Sequence, residues 1–399
     1  MKKIIFIICD GIGDRPIRLL GGKTPLEAAN TPNLDRLASG AIGGLVNVMG
    51  TGVIPHSDDA HLTIFGYDVS TEYPGRGPIE AAGVGIHLKE GDVAVRSNVA
   101  TIDENMIVKD RRAGRVEDAK PFVESLDGMK IRGIKFIVRP GTGYRAAIVM
   151  RGRGLSEKIT PNDPEEAGKK ILMVKPLDDS REARFTADVL NEFLETARKV
   201  LSRNPINEGR RAAGLPEVTC LLARGAGTYK KLESFEKRHG MKACCIAGAG
   251  MYKGIGSILG MDVLKVKGAT GLPNTDVKAK INAAIKALRK YDFVFVHIKP
   301  TDSLGEDGNI QGKKDFIEKI DMAVKPLASL DCGIIITADH STPCENRGHS
   351  ADPPPIMIFG SAKMPDGMKA FSEKECSKGS LGIVNGKDVM KTVKSLLRS

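Results

Sequence analysis

The sequence contains no tryptophan, and its 6 tyrosines and 12 phenylalanines supply few flat rings. A platform for single-stranded nucleic acid, which stacks bases on such rings along a basic groove, is poorly provided for. No apolar run approaches the roughly 18 to 20 residues that a membrane-spanning helix needs. The N-terminal run ends at Asp10, too soon for the apolar part of a secretory signal. A cytoplasmic location without a membrane partner is expected. The 7 cysteines (Cys9, Cys220, Cys244, Cys245, Cys332, Cys344 and Cys376) are odd in number and include no C-x-x-C pair. Neither a disulfide framework nor a thiolate zinc site is indicated, and buried or incidental thiols are expected. Long internal repeats and low-complexity tracts are also absent.

What is present has an ordinary globular balance, 41% hydrophobic and 27% charged. A chain of 399 residues has room for two or three domains, each with its own core. Lys and Arg number 60 against 49 Asp and Glu, a formal charge of +11. That excess points to anionic partners: nucleic acid, a membrane surface or phosphorylated small molecules. Much of it is local, because 109–153 holds twelve Lys/Arg and five Asp/Glu. A solvated basic face is the plain reading of such a stretch. Nothing in the sequence sets an oligomeric state.

The hydrophobic pattern is α/β. Lys3–Cys9 (KIIFIIC) is a continuous apolar run, as expected of a strand buried on both faces. Similar runs occur at Thr219–Ala223, Phe293–Ile298 and Cys332–Thr337, with helical spacing at Glu182–Arg203, Val277–Arg289 and Lys313–Leu330. The alternation predicts a mostly parallel sheet covered by helices on both sides. Residues 76–179 differ, being Gly-rich with short β-branched runs at Asp92–Thr101, Ile134–Val138 and Ala146–Met150. They predict a smaller α+β domain inserted at 76–179 into a core made of 1–75 and 180–399.

The positions of acids and histidines carry the chemistry. Asp10 follows the first apolar run directly, Asp339 and His340 follow Gly333–Ala338, and His297 and Asp302 close or follow Phe293–Ile298. Ligands in open α/β sheets bind outside the carboxyl ends of strands. Glu306 and His349 lie in nearby loops able to reach the same edge. Mixed carboxylate and imidazole donors suit zinc or manganese better than calcium, and seven candidates suit two ions better than one. Ser57, in Pro55-His56-Ser57-Asp58-Asp59, sits at the expected start of a helix, where free N–H groups favour a phosphoryl group. An N-cap serine is the structural alternative.

These residues lie in segments that together resemble the archaeal-type, cofactor-independent phosphoglycerate mutases of the alkaline phosphatase superfamily. The segments are CDGIGDRPI (9–17), KTPLEAANTPNLDRLA (23–38), HSDDAHLTIFGYD (56–68), YPGRGPIEAAGVG (73–85), DRRAGR (110–115), LARGAG (222–227), HIKPTDSLGEDGN (297–309), TADHSTPC (337–344) and GHSADPPP (348–355). The resemblance implies an alkaline-phosphatase-like three-layer core with an inserted domain. It implies two divalent ions, manganese first, with magnesium, cobalt or zinc as alternatives. Asp302 and His349 fall at one ion; Asp10, Ser57, Asp339 and His340 fall at the other. It further implies that Ser57 is transiently phosphorylated and that 3-phosphoglycerate and 2-phosphoglycerate interconvert without added 2,3-bisphosphoglycerate, in glycolysis and gluconeogenesis.

The sequence departs from the family pattern at Glu306, where His is usual, at His56 and Asp59 beside the serine, and at Pro300. Glu306 remains a competent oxygen ligand and is assigned with Asp302 and His349. For the substrate carboxylate, Arg111, Arg112, Arg115 and Arg145 are the first candidates, followed by Arg76, Arg96 and Arg224, because guanidinium forks suit bidentate recognition. A basic inserted domain able to exclude water would retain glycerate and favour a mutase over a phosphatase. Another phosphomutase or phosphatase of the superfamily is the alternative with the same site. Nucleic-acid binding by the basic segment is the alternative from another class, and no nucleic-acid partner is expected.

Overall fold

The apolar run IIFIIC becomes the strand Ile4–Cys9, fully buried along its length in the computed structural model, which describes residues 2–397. Contacts divide the chain into two units, Met1–Tyr73 with Glu233–Ser399, and Pro74–Leu232. The first unit holds an eight-stranded sheet in the order Asp262–Val263, Ala243–Ile246, Phe293–Ile298, Ile4–Cys9, Gly333–Thr337, Pro355–Phe359, Ala41–Asn47 and Ile383–Asn385. Only Pro355–Phe359 runs against the others. Strands buried on both faces need apolar side chains at every position, which is why these runs do not alternate.

Alternate residues of Ile4–Cys9 face opposite layers. Ile5, Ile7 and Cys9 join Ile281, Phe316, Ile317 and Ile320 from the helices Val277–Ala287 and Ile310–Val324 in one core. On the other face Phe6 meets Phe65 and Phe293, with ring centroids 5.9 and 5.7 Å apart. Phe65 directly follows the helix Ser57–Ile64 and packs on Phe295 at 5.0 Å. The unit is therefore a sheet between two helical layers.

In the second unit every strand pairing is antiparallel. Val93–Ile102 is central, pairing with Val108–Asp110, Arg145–Arg151 and Cys220–Thr228, while Ile134–Pro140 lies beyond Arg145–Arg151. This unit extends to Leu232, past the boundary at 179 expected from composition. Two elements expected in the large sheet domain lie here instead. The run around Thr219–Ala223 forms part of Cys220–Thr228 and pairs with Val93–Ile102. The helix Arg181–Ser202 places Ala187, Leu190, Phe193 and Leu194 in the core of this unit, with Phe193 stacked on Phe136 at 4.0 Å. An apolar stripe records that a helix has a sheet to cover; it does not record which one.

Two lysines of the first unit are fully buried. Lys313 Nζ donates to Gly13 O at 3.1 Å, Thr342 O at 2.9 Å and Asp14 Oδ2 at 2.9 Å. It thereby ties the loop after Ile4–Cys9 to the loop after Gly333–Thr337. Lys280 Nζ donates to the carbonyl of His297 at 3.0 Å, and burial draws its ammonium down to about 8. Lys313→Met should leave the Asp14 carboxylate buried without its cation and cost about 3 kcal/mol of stability. The midpoint of urea unfolding measures this, and an unchanged midpoint would show that Lys313 is not a strut.

Candidate active site

Three neighbouring strands end level with one another. Cys9 pairs with Ile298, and Ile8 pairs with both His297 and Thr337. The residues that follow, Asp10, Lys299 to Asp302, and Asp339 with His340, therefore emerge at one edge. Asp10, Asp302, Asp339 and His340 are all completely buried there. Their donor atoms form two groups, each within 4.8 Å: Asp10, Asp339 and His340 in one, Asp302, His340 and His349 in the other.

In the first group His340 Nε2 lies 3.3 Å from Asp10 Oδ1 and 3.3 Å from Asp339 Oδ2. In the second His349 Nε2 lies 3.3 Å from Asp302 Oδ1, and the rings of His340 and His349 stack at 3.6 Å. His349 Nδ1 is 3.0 Å from the carbonyl of Pro55, an acceptor, so Nδ1 carries the proton and Nε2 is left as a donor atom for an ion. Glu306 lies at the margin: its Oε1 is 3.9 Å from His349 Nε2 and its side chain is 51% exposed.

Ser57 is the first residue of its helix, and His56 is the N-cap. The expected helix start is thus in place, with the serine side chain turned to the centre: Oγ lies 3.3 Å from His340 Nε2. Asp59 accepts from the backbone N–H of His56 at 3.0 Å and so holds the first turn. His61, one turn on, has Nδ1 2.6 Å from the Ser57 carbonyl and 3.5 Å from Asp339 Oδ2.

The electrostatics of this edge favour a cation. Burial and the negative charge of Asp10 push the Asp339 carboxyl well up. Asp10 is held well down, against the upward push of burial, by the Lys299 ammonium and by His297. Burial lowers His340 and His297 to about 4 and His61 to about 3, so all three imidazoles are neutral at pH 7. Burial and the charge of Asp302 raise Glu306. Among the described residues, Asp10 Oδ1, Asp339 Oδ2, both ring nitrogens of His297 and His61 Nε2 are buried without a hydrogen-bond partner. Orphaned carboxylate oxygens are costly unless a cation satisfies them, and these lie beside a neutral imidazole. The donor set therefore fits a divalent metal with oxygen and nitrogen ligands.

All seven residues assigned to metal and nucleophile roles belong to the first unit, where Asp10, Ser57, Asp302, Asp339, His340 and His349 converge and Glu306 stands beside them. The seven arginines belong to the second unit. Arg111 and Arg224 both bind the buried Asp163, Arg111 through Nε at 3.2 Å and Nη2 at 2.8 Å. Arg112 and Arg145 flank Tyr144, 5.4 and 5.0 Å from its ring centre. Arg96 stands opposite Arg224 across two strands, and Arg76 pairs with Glu80 at 3.4 Å. Arg115 is exposed, with a left-handed backbone at φ 56°.

Several members of the centre were not assigned from sequence. Tyr252 donates its hydroxyl to Asp10 Oδ2 and stacks on His297 at 3.3 Å. Lys299 Nζ lies 3.1 Å from Asp10 Oδ2 and also pairs with Asp302. His297, weighed only as a strand-end candidate, has Nε2 3.1 Å from Asp10 Oδ2. His61 had a readable signal, its four-residue spacing from Ser57. Tyr252 had none, since its helix Gly250–Ile258 is remote in sequence from Asp10.

Comparison with known proteins bears on this arrangement. A family profile described as 2,3-bisphosphoglycerate-independent phosphoglycerate mutase matches residues 38–207. Curated proteins with that name from Methanocaldococcus jannaschii and Archaeoglobus fulgidus are 46% and 45% identical to the chain. Each alignment covers 99% of the chain, with 97% and 98% of the two relatives. A solved Pyrococcus horikoshii structure superposes with a TM-score of 0.85 at 36% identity, covering 99% of this chain and 97% of that one. The cofactor-independent phosphoglycerate mutase of Thermoplasma acidophilum superposes with a TM-score of 0.74 at 36% identity, and both chains are covered completely.

Proposed function

This chain belongs to the 2,3-bisphosphoglycerate-independent phosphoglycerate mutases, and from that premise we propose that phosphoryl transfer runs through Ser57. As an isomerase of this family it interconverts 3-phosphoglycerate and 2-phosphoglycerate. The observation that carries the Ser57 assignment is its place: buried, first in its helix, and 3.3 Å from a neutral His340 beside the orphaned oxygens of Asp10 and Asp339.

The Ser57 oxygen attacks phosphorus, and its hydroxyl proton is passed on to the departing glycerate oxygen. The Ser57 O–P bond forms as the substrate's own C–O–P bond breaks, and the departing glycerate oxygen takes up a proton. The helix amides behind Ser57 lend partial positive charge to the phosphoryl oxygens. Glycerate then returns its other hydroxyl to the phosphoserine, which completes the isomerisation and restores Ser57. Two divalent ions, manganese first, are assigned to Asp302, His349 and Glu306 and to Asp10, Ser57, Asp339 and His340, and when bound they supply neutralisation of phosphoryl charge and a lowered serine pKa. Within the second unit, Arg112 and Arg145, both beside Tyr144, are the leading carboxylate-binding pair. Arg111 and Arg224, preset by Asp163, are next, and Arg76, Arg96 and Arg115 complete the set.

Ser57→Ala should lower mutase activity by on the order of a thousand-fold or more while leaving the melting temperature near that of the parent. A variant retaining substantial activity rules out the phosphoserine route. Prolonged chelation should abolish activity and added Mn²⁺ should restore it; an indifferent enzyme rules out the metal assignment. Because Glu306 is half-exposed and marginal, Glu306→Gln should weaken Mn²⁺ binding less than Asp302→Asn, by calorimetric titration. The reverse order would place Glu306 at the heart of the site.

A further inference from the structure

Thr342 has no part in the roles assigned above, yet its hydroxyl touches both donor groups. Oγ1 lies 2.7 Å from Asp302 Oδ1 and 3.1 Å from His340 Nδ1. A hydroxyl has one proton, and a carboxylate only accepts. The proton therefore goes to Asp302, and Oγ1 must accept from His340 Nδ1–H. We propose that Thr342 is a positioning residue that locks His340 in its Nδ1–H form and so commits the Nε2 lone pair to the Asp10–Asp339 group. By distance alone His340 belongs to both groups; the tautomer decides between them.

The same assignment orders the protons on the other side of the ring. With Nε2 unprotonated and no ion bound, Ser57 Oγ–H is the donor across the 3.3 Å contact, and a bound ion would take the same lone pair. A directed chain results, from Ser57 to His340 to Thr342 to Asp302, linking the nucleophile to the carboxylate of the opposite donor group.

Thr342 is fixed from three elements. A Cβ on Gly11 would come within 2.3 Å of Thr342 Oγ1, and one on Gly305 within 2.5 Å of its carbonyl oxygen. Gly11 also holds a left-handed φ of 62°, so two independent reasons exclude a side chain there. The Thr342 carbonyl accepts from the buried Lys313 at 2.9 Å. Bare backbone on two sides and an ammonium on the third hold in place the residue that carries the hydroxyl.

The inference rests on the reading that the two groups hold divalent ions, and its test separates the two claims. Mn²⁺ alone is titrated calorimetrically into metal-free wild type, Thr342→Val and Thr342→Ser. The valine variant keeps the shape without the hydroxyl and should lose on the order of ten-fold or more in affinity at one site. The serine variant should stay within a few-fold of wild type. Histidine ¹⁵N NMR of the metal-free wild type should show His340 protonated at Nδ1 and bare at Nε2, a result independent of how the variants fold. Protonation at Nε2, or wild-type Mn²⁺ affinity in the valine variant, overturns the role of Thr342. A wild type that binds no Mn²⁺ overturns the metal assignment instead, while the tautomer measurement still decides on Thr342.

Discussion

Two fully buried carboxylates, Asp10 and Asp339, share one neutral imidazole, and the structure around them is organised by what that costs. Like charges in a dry interior repel, and each oxygen left unpaired forfeits its hydration. The protein offsets part of this with its own donors. Tyr252 and Lys299 both address Asp10 Oδ2, with His297 Nε2 3.1 Å away, while Asp10 Oδ1 and Asp339 Oδ2 have no hydrogen-bond partner among the described residues. The two oxygens of Asp10 thus have different duties, one anchored and one presented. That asymmetry makes the centre suited to a cation rather than merely acidic.

The histidines are prepared in the same spirit. His349 and His61 each have Nδ1 against a backbone carbonyl, of Pro55 and Ser57. A carbonyl accepts and cannot donate, so each ring holds a proton at Nδ1. His340 reaches the same state through a hydroxyl instead. One of these acceptors sits in a segment held by a buried lysine: Lys313 gathers Gly13, Asp14 and Thr342, while Lys280 holds the carbonyl of His297. Support for the chemistry thus reaches well beyond the residues that perform it.

Asp59, Pro300 and Glu306, expected to depart from the family pattern, each have a local role here. Asp59 caps the first turn of the helix that presents Ser57, accepting from the His56 amide. Pro300 occupies the start of the helix Pro300–Glu306, where no amide proton is required. Glu306 ends that helix at the half-exposed rim, where its charge is less costly than at the buried centre.

How far the sequence alone reached follows from the range of the forces involved. Continuous apolar runs ended by Asp10, by Asp302 and by Asp339-His340 were legible as strands delivering ligands, because strand burial and strand ends are local features. The limits of the second unit were not legible: the helix Arg181–Ser202 and the strand Cys220–Thr228 carry ordinary patterns that fit either sheet. Tyr252, Lys313 and Thr342 were likewise unassigned, although their residue types were in plain view. Sequence by itself determined the elements, the donor types and the family pattern, since hydrophobic periodicity and chain punctuation act over a few residues. Only the tertiary structure decided which oxygen of Asp10 is anchored, which nitrogen of His340 is bare and which sheet a helix covers. Each of those depends on a partner brought close by packing from a distant part of the chain.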